Sequence, residues 1–416
     1  MLKYKKKTRI IIIGGGAAGF FAAANIGLNS DSGEREIIIL EKSNKILSKV
    51  RISGGGRCNV TNATSDISQL LKNYPRGNKE LRKVFRKFSV EQTVEWFNEK
   101  GVVLKTEPDG RVFPKSNSSQ TIVDCLEKAC YFSGVKVILH NEVKSIQKEA
   151  EIFKVTCNHQ TINADIVLVT TGGFPKKNGY HFLKDTGHAI TDPIPSLFTF
   201  NIEKDAVTEL MGLSVNNVML KIAGTSLQYT GPVLITHWGF SGPAVLKLSA
   251  FGATHLNKLN YNTIILINWI NAINEEETKH KLKQHIQQKL TAYPHNTNFF
   301  NLPERLWNYL LIKSGIEMKK NWSEQTGKSV NKLVSLLFSD CYTINGKTTF
   351  KDEFVTCGGI SLKEIDFNTM ESKLSSGLFF AGEVIDIDGI TGGFNFQAAW
   401  STAWVAANTI LEKLKK

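Results

Sequence analysis

Nowhere in its 416 residues does this chain run to about 18 uncharged apolar residues in a row, so no membrane-spanning helix is expected. Cysteine is scarce and scattered. The six residues (Cys58, Cys125, Cys130, Cys157, Cys341 and Cys357) include no C-x-x-C pair. That argues against a zinc site or a disulfide framework, so no metal is expected, and it fits a reducing cytoplasm. Internal repeats and low-complexity blocks are missing as well. Acid is in deficit: 38 Asp and Glu face 51 Lys and Arg, leaving a net charge of +13. Such a balance favours a polyanionic partner, with a basic proteome or plain solubility as the ordinary alternative. The basic start, Met1 to Lys7, runs straight into an apolar strand whose closing glycines a turn needs, so it does not read as a signal peptide. With 42% hydrophobic and 21% charged residues, the chain reads as a globular protein of two domains or more.

What is present centres on Ile10 to Gly19. Four isoleucines, Ile10 to Ile13, suit a buried parallel strand. Gly14, Gly16 and Gly19 follow at G-x-G-x-x-G spacing. They serve a sharp turn, a close approach of backbone to a pyrophosphate, and tight packing of a helix that begins near Ala17 and Ala18. That helix would aim its N-terminus at the phosphates. A second apolar strand, Ile37 to Leu40, ends in Glu41, 22 residues beyond Gly19, where an acid can accept the hydroxyls of an adenosine ribose. Strand, helix, strand and acid in register point to dinucleotide binding.

A second glycine cluster, Ser53-Gly54-Gly55-Gly56-Arg57-Cys58-Asn59, lies in a segment read as loop from Ser43 to Asn62. Three adjacent glycines make sense where backbone N–H groups lie against a ligand, with Arg57 and Asn59 as side-chain donors. Between Lys72 and Lys87 fall seven cations, including Arg76, Arg82, Lys83, Arg86 and Lys87, against the single acid Glu80. Leu81, Val84, Phe85 and Phe88 keep helical spacing, which predicts an amphipathic helix with a cationic face. That face is either solvated or a phosphate-binding surface. A helix over Val90 to Glu99 and a hairpin turn at Asp109-Gly110 follow. Near Pro193 to Pro195 the texture changes to short alternating strands and then lysine-rich helices. At the C-terminal end a strand reaching Gly382-Glu383 precedes Asp386, Asp388, Gly393, Asn395, Phe396 and an alanine-rich helix. A late strand, Gly-acid pair and helix N-terminus suit FAD rather than a nicotinamide cofactor as the resident group.

These three glycine regions, with Gly110-Arg111-Val112-Phe113-Pro114, Thr236-His237-Trp238-Gly239-Phe240-Ser241-Gly242-Pro243 and Ala381 through Gln397, closely resemble the BaiN/RdsA-like (YhiN-like) family of FAD-dependent oxidoreductases. The resemblance spans nearly the whole chain. It departs after Thr171-Gly172-Gly173, where Phe174 to Tyr180 replaces a Ser-Tyr-Pro stretch. It implies an α/β fold: a Rossmann-like FAD-binding domain of the two-dinucleotide-fold type, interrupted by a β-barrel-like and helical insert. The expected boundaries are 1–195, 196–350 and 351–416. The FAD contacts it suggests are Gly14, Gly16, Ala17, Ala18, Gly19, Glu41, Lys42, Lys49, Gly55, Gly56, Arg57, Asn59, Val143, Thr171, Gly172, Gly382, Glu383, Asp386, Gly393, Asn395 and Phe396.

The resemblance also implies two chemistries. One is reduction of a uridine to dihydrouridine in 23S ribosomal RNA, with NADH or NADPH as transient reductant. The other is reduction of an enone in a bile-acid-like steroid. Both deliver a hydride to one alkene carbon and a proton to its neighbour, so the protein must supply an acid. Cys58, in the glycine loop, and His237 are the candidates, each set against a plain packing role. Net charge favours RNA, with Arg76, Arg82, Lys83, Arg86 and Lys87 as expected contacts to ribosomal RNA or a pre-ribosomal particle. A non-catalytic RNA-binding flavoprotein is a third reading.

Overall fold

The computed structural model describes residues 7–31, 33, 35–348 and 355–415. The chain forms two compact units, Met1–Ser196 with Lys351–Lys416, and Leu197–Phe350.

The first unit is built on a seven-stranded sheet. Its strands are β1 (Thr8–Ile13), β2 (Arg35–Leu40), β3 (Lys136–Ile138), β4 (Ile166–Val169), β5 (Ile365–Asp366), β6 (Glu371–Ser372) and β7 (Leu378–Phe380), in the order β5-β6-β7-β4-β1-β2-β3. From β7 to β3 all pairings are parallel. Ile10 to Ile13 are buried on both faces, which is why the strand reads as a continuous apolar run. The crossover from β1 to β2 is α1 (Ala17–Leu28). Its close seat on the turn depends on Gly19, where a Cβ would lie 2.1 Å from the Gly14 carbonyl.

Helix α2 (Asn78–Phe85) buries Leu81, Val84 and Phe85 and leaves Lys79, Arg82 and Lys83 exposed. Helix α3 (Val90–Glu99) starts at a Ser89–Gln92 capping box. The expected hairpin forms between Leu104–Thr106 and Arg111–Pro114, with Gly110 at φ +84°. The loop expected over Ser43–Asn62 is partly ordered. A helical segment begins at Ser48, breaks at Ser53, and a short strand, Thr61–Asn62, pairs with the hairpin.

The last helix, α4 (Phe394–Leu414), returns to α1. Its Trp400 ring sits 5.2 Å from that of Phe21, and the indole donates to the Val60 carbonyl at 2.9 Å. Phe21 also meets Phe88, Trp96 and Phe97. One aromatic cluster therefore ties the two ends of the unit together. The chain leaves this unit along Ile190–Pro195 and re-enters along Thr356–Ile360, and these strands pair antiparallel.

The inserted unit carries a seven-stranded antiparallel sheet. Its two outer strands, Asp340–Asn345 and Lys347–Thr348, are consecutive in the chain, so the sheet curls to bring its ends together. Helices Pro243–Lys258, Glu275–Gln288, Glu304–Ser314 and Gly327–Ser339 complete it. Among the described residues no helix is long and apolar enough to cross a membrane.

Candidate cofactor site

Gly14 turns the chain at φ +111°. A Cβ there would lie 2.6 Å from the Thr170 carbonyl oxygen, and the Thr170 hydroxyl donates back to this turn, with Ile13 and Gly14 carbonyls both at 3.0 Å. Gly16 caps α1 with no side-chain cap and no acid in the first turn, where Ala17 and Ala18 sit. Nothing lies within 4 Å of where its Cβ would be. The backbone at Gly16 therefore borders open space at a helix N-terminus, the kind of place where anions bind. Glu41 accepts from Gly15 N–H at 2.9 Å and from Ser43 N–H at 2.8 Å, which fixes its carboxylate against the loop. Beside it opens a cleft of about 410 Å³ lined by Gly14, Glu41, Lys42, Val143, Thr171 and Phe174 among others. The Lys42 ammonium lies 5.3 Å from the Phe174 ring. In the same cleft the buried Asn141 Oδ1 has no partner among the described residues.

The second glycine loop bends through three left-handed residues, Gly54, Gly55 and Gly56, at φ +58°, +67° and +82°. Cβ atoms on Gly55 and Gly56 would meet nothing within 4 Å. Arg57 binds Glu107 at 2.7 Å and lies over the Phe113 ring at 4.0 Å. Cys58 differs from the expectation of an accessible acid. It is 0% exposed, and burial pushes its thiol up to about 12. Asn59, expected as a ligand donor, is buried. With its amide oriented to suit its neighbours, it donates to the Thr61 and Val112 carbonyls and accepts from Gly393 N–H.

The C-terminal segment completes the rim. Gly382 lies over α1, where its Cβ would come 3.1 Å from that of Ala18. Glu383 pairs with Lys49 at 2.6 Å, and its other oxygen, Oε1, is buried without a partner among the described residues. Gly172, at φ +73°, is the backbone neighbour of this carboxylate. Gly393 opens α4 at φ +94°, again with no side-chain cap and no acid in the first turn, and Phe396 stacks on Trp400.

Several expected ligands are instead committed within the chain. Asp386 accepts from Gly358 N–H at 2.8 Å. Asn395 clips Gly389 through both its amide groups, each at 2.8 Å. Arg76, expected on the RNA face, binds the fully buried Asp388 through two nitrogens and reaches Ser196 at 3.0 Å. Its charge is spent inside the unit. Arg82, Lys83, Arg86 and Lys87 are exposed as expected. Lys79, Arg82, Lys83 and Arg86 form no ion pair among the described residues, whereas Lys87 donates to the Asn368 carbonyl. His237 belongs to the inserted unit, exposed on the turn between Gln228–Thr236 and Gly239–Ser241 and edge-on to Trp238. Sequence reading missed Thr170 and Asn141. Only Thr170 carried a signal, as the residue preceding Thr171-Gly172-Gly173.

The residues present fit FAD. Open backbone cradles at Gly16, Gly55 and Gly56, together with orphaned polar atoms on Asn141 and Glu383, await a long polar ligand along the carboxyl ends of the strands. A Rossmann unit closed by a late strand and helix in this way defines an FAD-dependent oxidoreductase, and this chain is one. It belongs to the HI0933-like family, whose Rossmann-domain model matches residues 8–409. It is 27% identical over 400 residues to a 3-dehydro-bile acid delta(4,6)-reductase of Clostridium scindens, covering 94% of this chain and 96% of that one. It is 29% identical over 386 residues to a ribosomal RNA dihydrouridine synthase of Escherichia coli, covering 91% and 92%. A solved quinol-fumarate reductase shares the fold at TM-score 0.51 and 12% identity, covering 99% of this chain and 72% of that chain.

Proposed function

We propose that the chain reduces the C5=C6 bond of a uridine in 23S ribosomal RNA to dihydrouridine, with NADH or NADPH as the electron source. The observation that carries this reading is the exposed cationic face of α2 and the turn after it. Lys79, Arg82, Lys83 and Arg86 stand there without acidic partners among the described residues, on a helix whose other face is buried. Uncompensated cations repel one another, and a phosphate backbone relieves that repulsion. A bile-acid-like steroid brings a single carboxylate, too little charge to answer four cations. Bound FAD, once reduced by NADH or NADPH, would supply the hydride that an electrophilic alkene carbon accepts.

The chain's own residues hold and orient. Gly14, Gly16, Ala17 and Ala18 would receive the pyrophosphate, with Gly19 seating the helix that presents them. Glu41, Lys42 and Val143 take the adenosine half. Lys49, Thr171, Gly172, Gly382 and Glu383 take the stretch toward the flavin, which Gly55, Gly56, Gly393 and Phe396 border. Arg57 is left to meet a uracil carbonyl. Of the two candidate acids for C5, Cys58 is buried, whereas His237 is exposed on the inserted unit.

Enone reduction is the second reading, favoured by the 27% identity to a bile-acid reductase over nearly the whole chain. The test is deletion of the gene in its native host, followed by mass spectrometry of nuclease-digested ribosomal RNA. A dihydrouridine should vanish and return with the wild-type gene. It should return poorly with Arg82→Gln/Lys83→Gln/Arg86→Gln, whose RNA affinity should lose about 2–3 from its log–log salt slope. An unchanged modification pattern sinks the ribosomal reading and leaves enone reduction by the purified protein to be assayed. Failure of RNA to reoxidise the reduced flavoprotein would point to binding without turnover.

A further inference from the structure

Of the three buried side-chain oxygens in the cofactor unit that lack a partner among the described residues, those of Thr356 and Glu383 belong to side chains that converge beside Gly173. Thr356, the first residue of the re-entering strand, is 2% exposed, and its hydroxyl has no partner among the described residues. Glu383 Oε1 is in the same position, while Oε2 holds Lys49. A Cβ on Gly173 would lie 2.2 Å from Thr356 Oγ1, 3.3 Å from Glu383 Cγ and 3.4 Å from its carboxyl carbon. The missing side chain of Gly173 thus lets the hydroxyl and the carboxylate converge. They do so beyond the carboxyl ends of β4 and β7, the edge where open α/β sheets bind ligands. Native chains rarely leave such atoms orphaned without a reason.

The donor set selects the ligand. An ionised Glu383 only accepts hydrogen bonds, whereas Thr356 both gives and accepts. A phosphate or carbonyl brings acceptors alone and would face the carboxylate unfavourably. An apolar ring brings neither. A pair of neighbouring hydroxyls satisfies both atoms. We propose that Thr356 is a cofactor-binding residue, and that its hydroxyl and Glu383 Oε1 together hold adjacent hydroxyls of the ribityl chain of FAD. Asp386 and Asp388, the acids that the sequence placed near this stretch, are already engaged by Gly358 and by Arg76 with Ser196. The inference rests on FAD as the resident cofactor and is independent of the RNA substrate.

The test compares Thr356→Val with Thr356→Ser. FAD affinity is read by flavin fluorescence as FAD is added back to the cofactor-stripped chain. The valine variant should bind FAD about fivefold to tenfold more weakly, and the serine variant should stay within about twofold of wild type. A second readout separates binding from support. Among the described residues the threonine hydroxyl makes no bond, so the FAD-free valine variant should melt at or above the wild-type temperature. A purely structural threonine would lower it. Unchanged FAD affinity in the valine variant overturns the proposal. A raised KM for NAD(P)H, or weakened RNA binding at constant FAD affinity, also overturns it by assigning the diol to a ribose. Should the valine variant not fold, wild-type protein is titrated with FAD analogues that each lack one ribityl hydroxyl. At least one should lose affinity by the same factor, and equal affinity for all refutes the assignment.

Discussion

Replacing Arg76 by methionine isolates one interaction on which the reading of the charged surface turns. Asp388 is 0% exposed, and its carboxylate is held by Arg76 through two nitrogens and by the Ser196 hydroxyl. Burial pushes this carboxyl up from the usual range, and the guanidinium opposes that push. Removing Arg76 leaves a buried charge with one neutral partner. Breaking such a pair from one side costs about 3–5 kcal/mol, which corresponds to a fall on the order of 10 °C in Tm for a unit of this size. The loss should depend on pH with a definite sign. In the variant the folded state retains a proton that the unfolded chain, with a carboxyl near ~3.9, has released. Stability relative to wild type is therefore best preserved below about pH 4 and is lost as pH rises through the elevated folded value. Adding Asp388→Asn should remove most of that slope. Urea titrations of the three variants between pH 4 and 8 measure all of this. If Arg76→Met cost less than about 1 kcal/mol with no added pH slope, Arg76 would be a surface cation after all and the argument from burial would fail.

Other expectations are more local. Gly55→Ala should still fold, at a cost of about 1–2 kcal/mol for holding alanine at φ +67°, yet bind FAD about tenfold more weakly because the methyl enters the open cradle. Unchanged affinity would put the loop away from the cofactor. Cys58→Ala should keep turnover within tenfold, whereas a general acid is worth about 10²–10⁴, so a hundredfold loss would contradict its burial. His188 is a buried ring bonded to Thr186 and Ser372 at 2.8 Å each, and burial lowers its pKa. Its contribution is complete above about pH 6.5 and should be lost as pH falls through the lowered value, and His188→Gln should flatten that acid limb. An identical acid limb in the variant would exclude His188 as its source.

The features legible in the sequence are those carried by neighbours along the chain. The Ile10–Glu41 unit, the Asp109-Gly110 hairpin and the split faces of α2 each follow from spacing within some thirty residues. What could not be read is how polar side chains are spent. Arg76 and Asp388 are 312 residues apart, and nothing near Arg76 distinguishes it from Arg82. Asn59 and Asn395 look like ligand donors because amides are versatile, but Gly393 and Gly389 claim them first. Thr356 carried no signal, since its meaning depends on Gly173 and Glu383 meeting beside it.

The antiparallel pairing of Ile190–Pro195 with Thr356–Ile360 sets the order in which this molecule can be made. Pro195 lies opposite Thr356, so the inserted residues hang from two adjacent points and can fold by themselves while the ribosome is still working. The cofactor unit has no such freedom. Its strand β7 and helix α4 emerge only after the whole insert, and until they do, β4 has a bare edge and α1 a bare face. The strands made first must wait, exposed, for segments that follow the whole insert, and FAD can be captured only after β7 and α4 have been made.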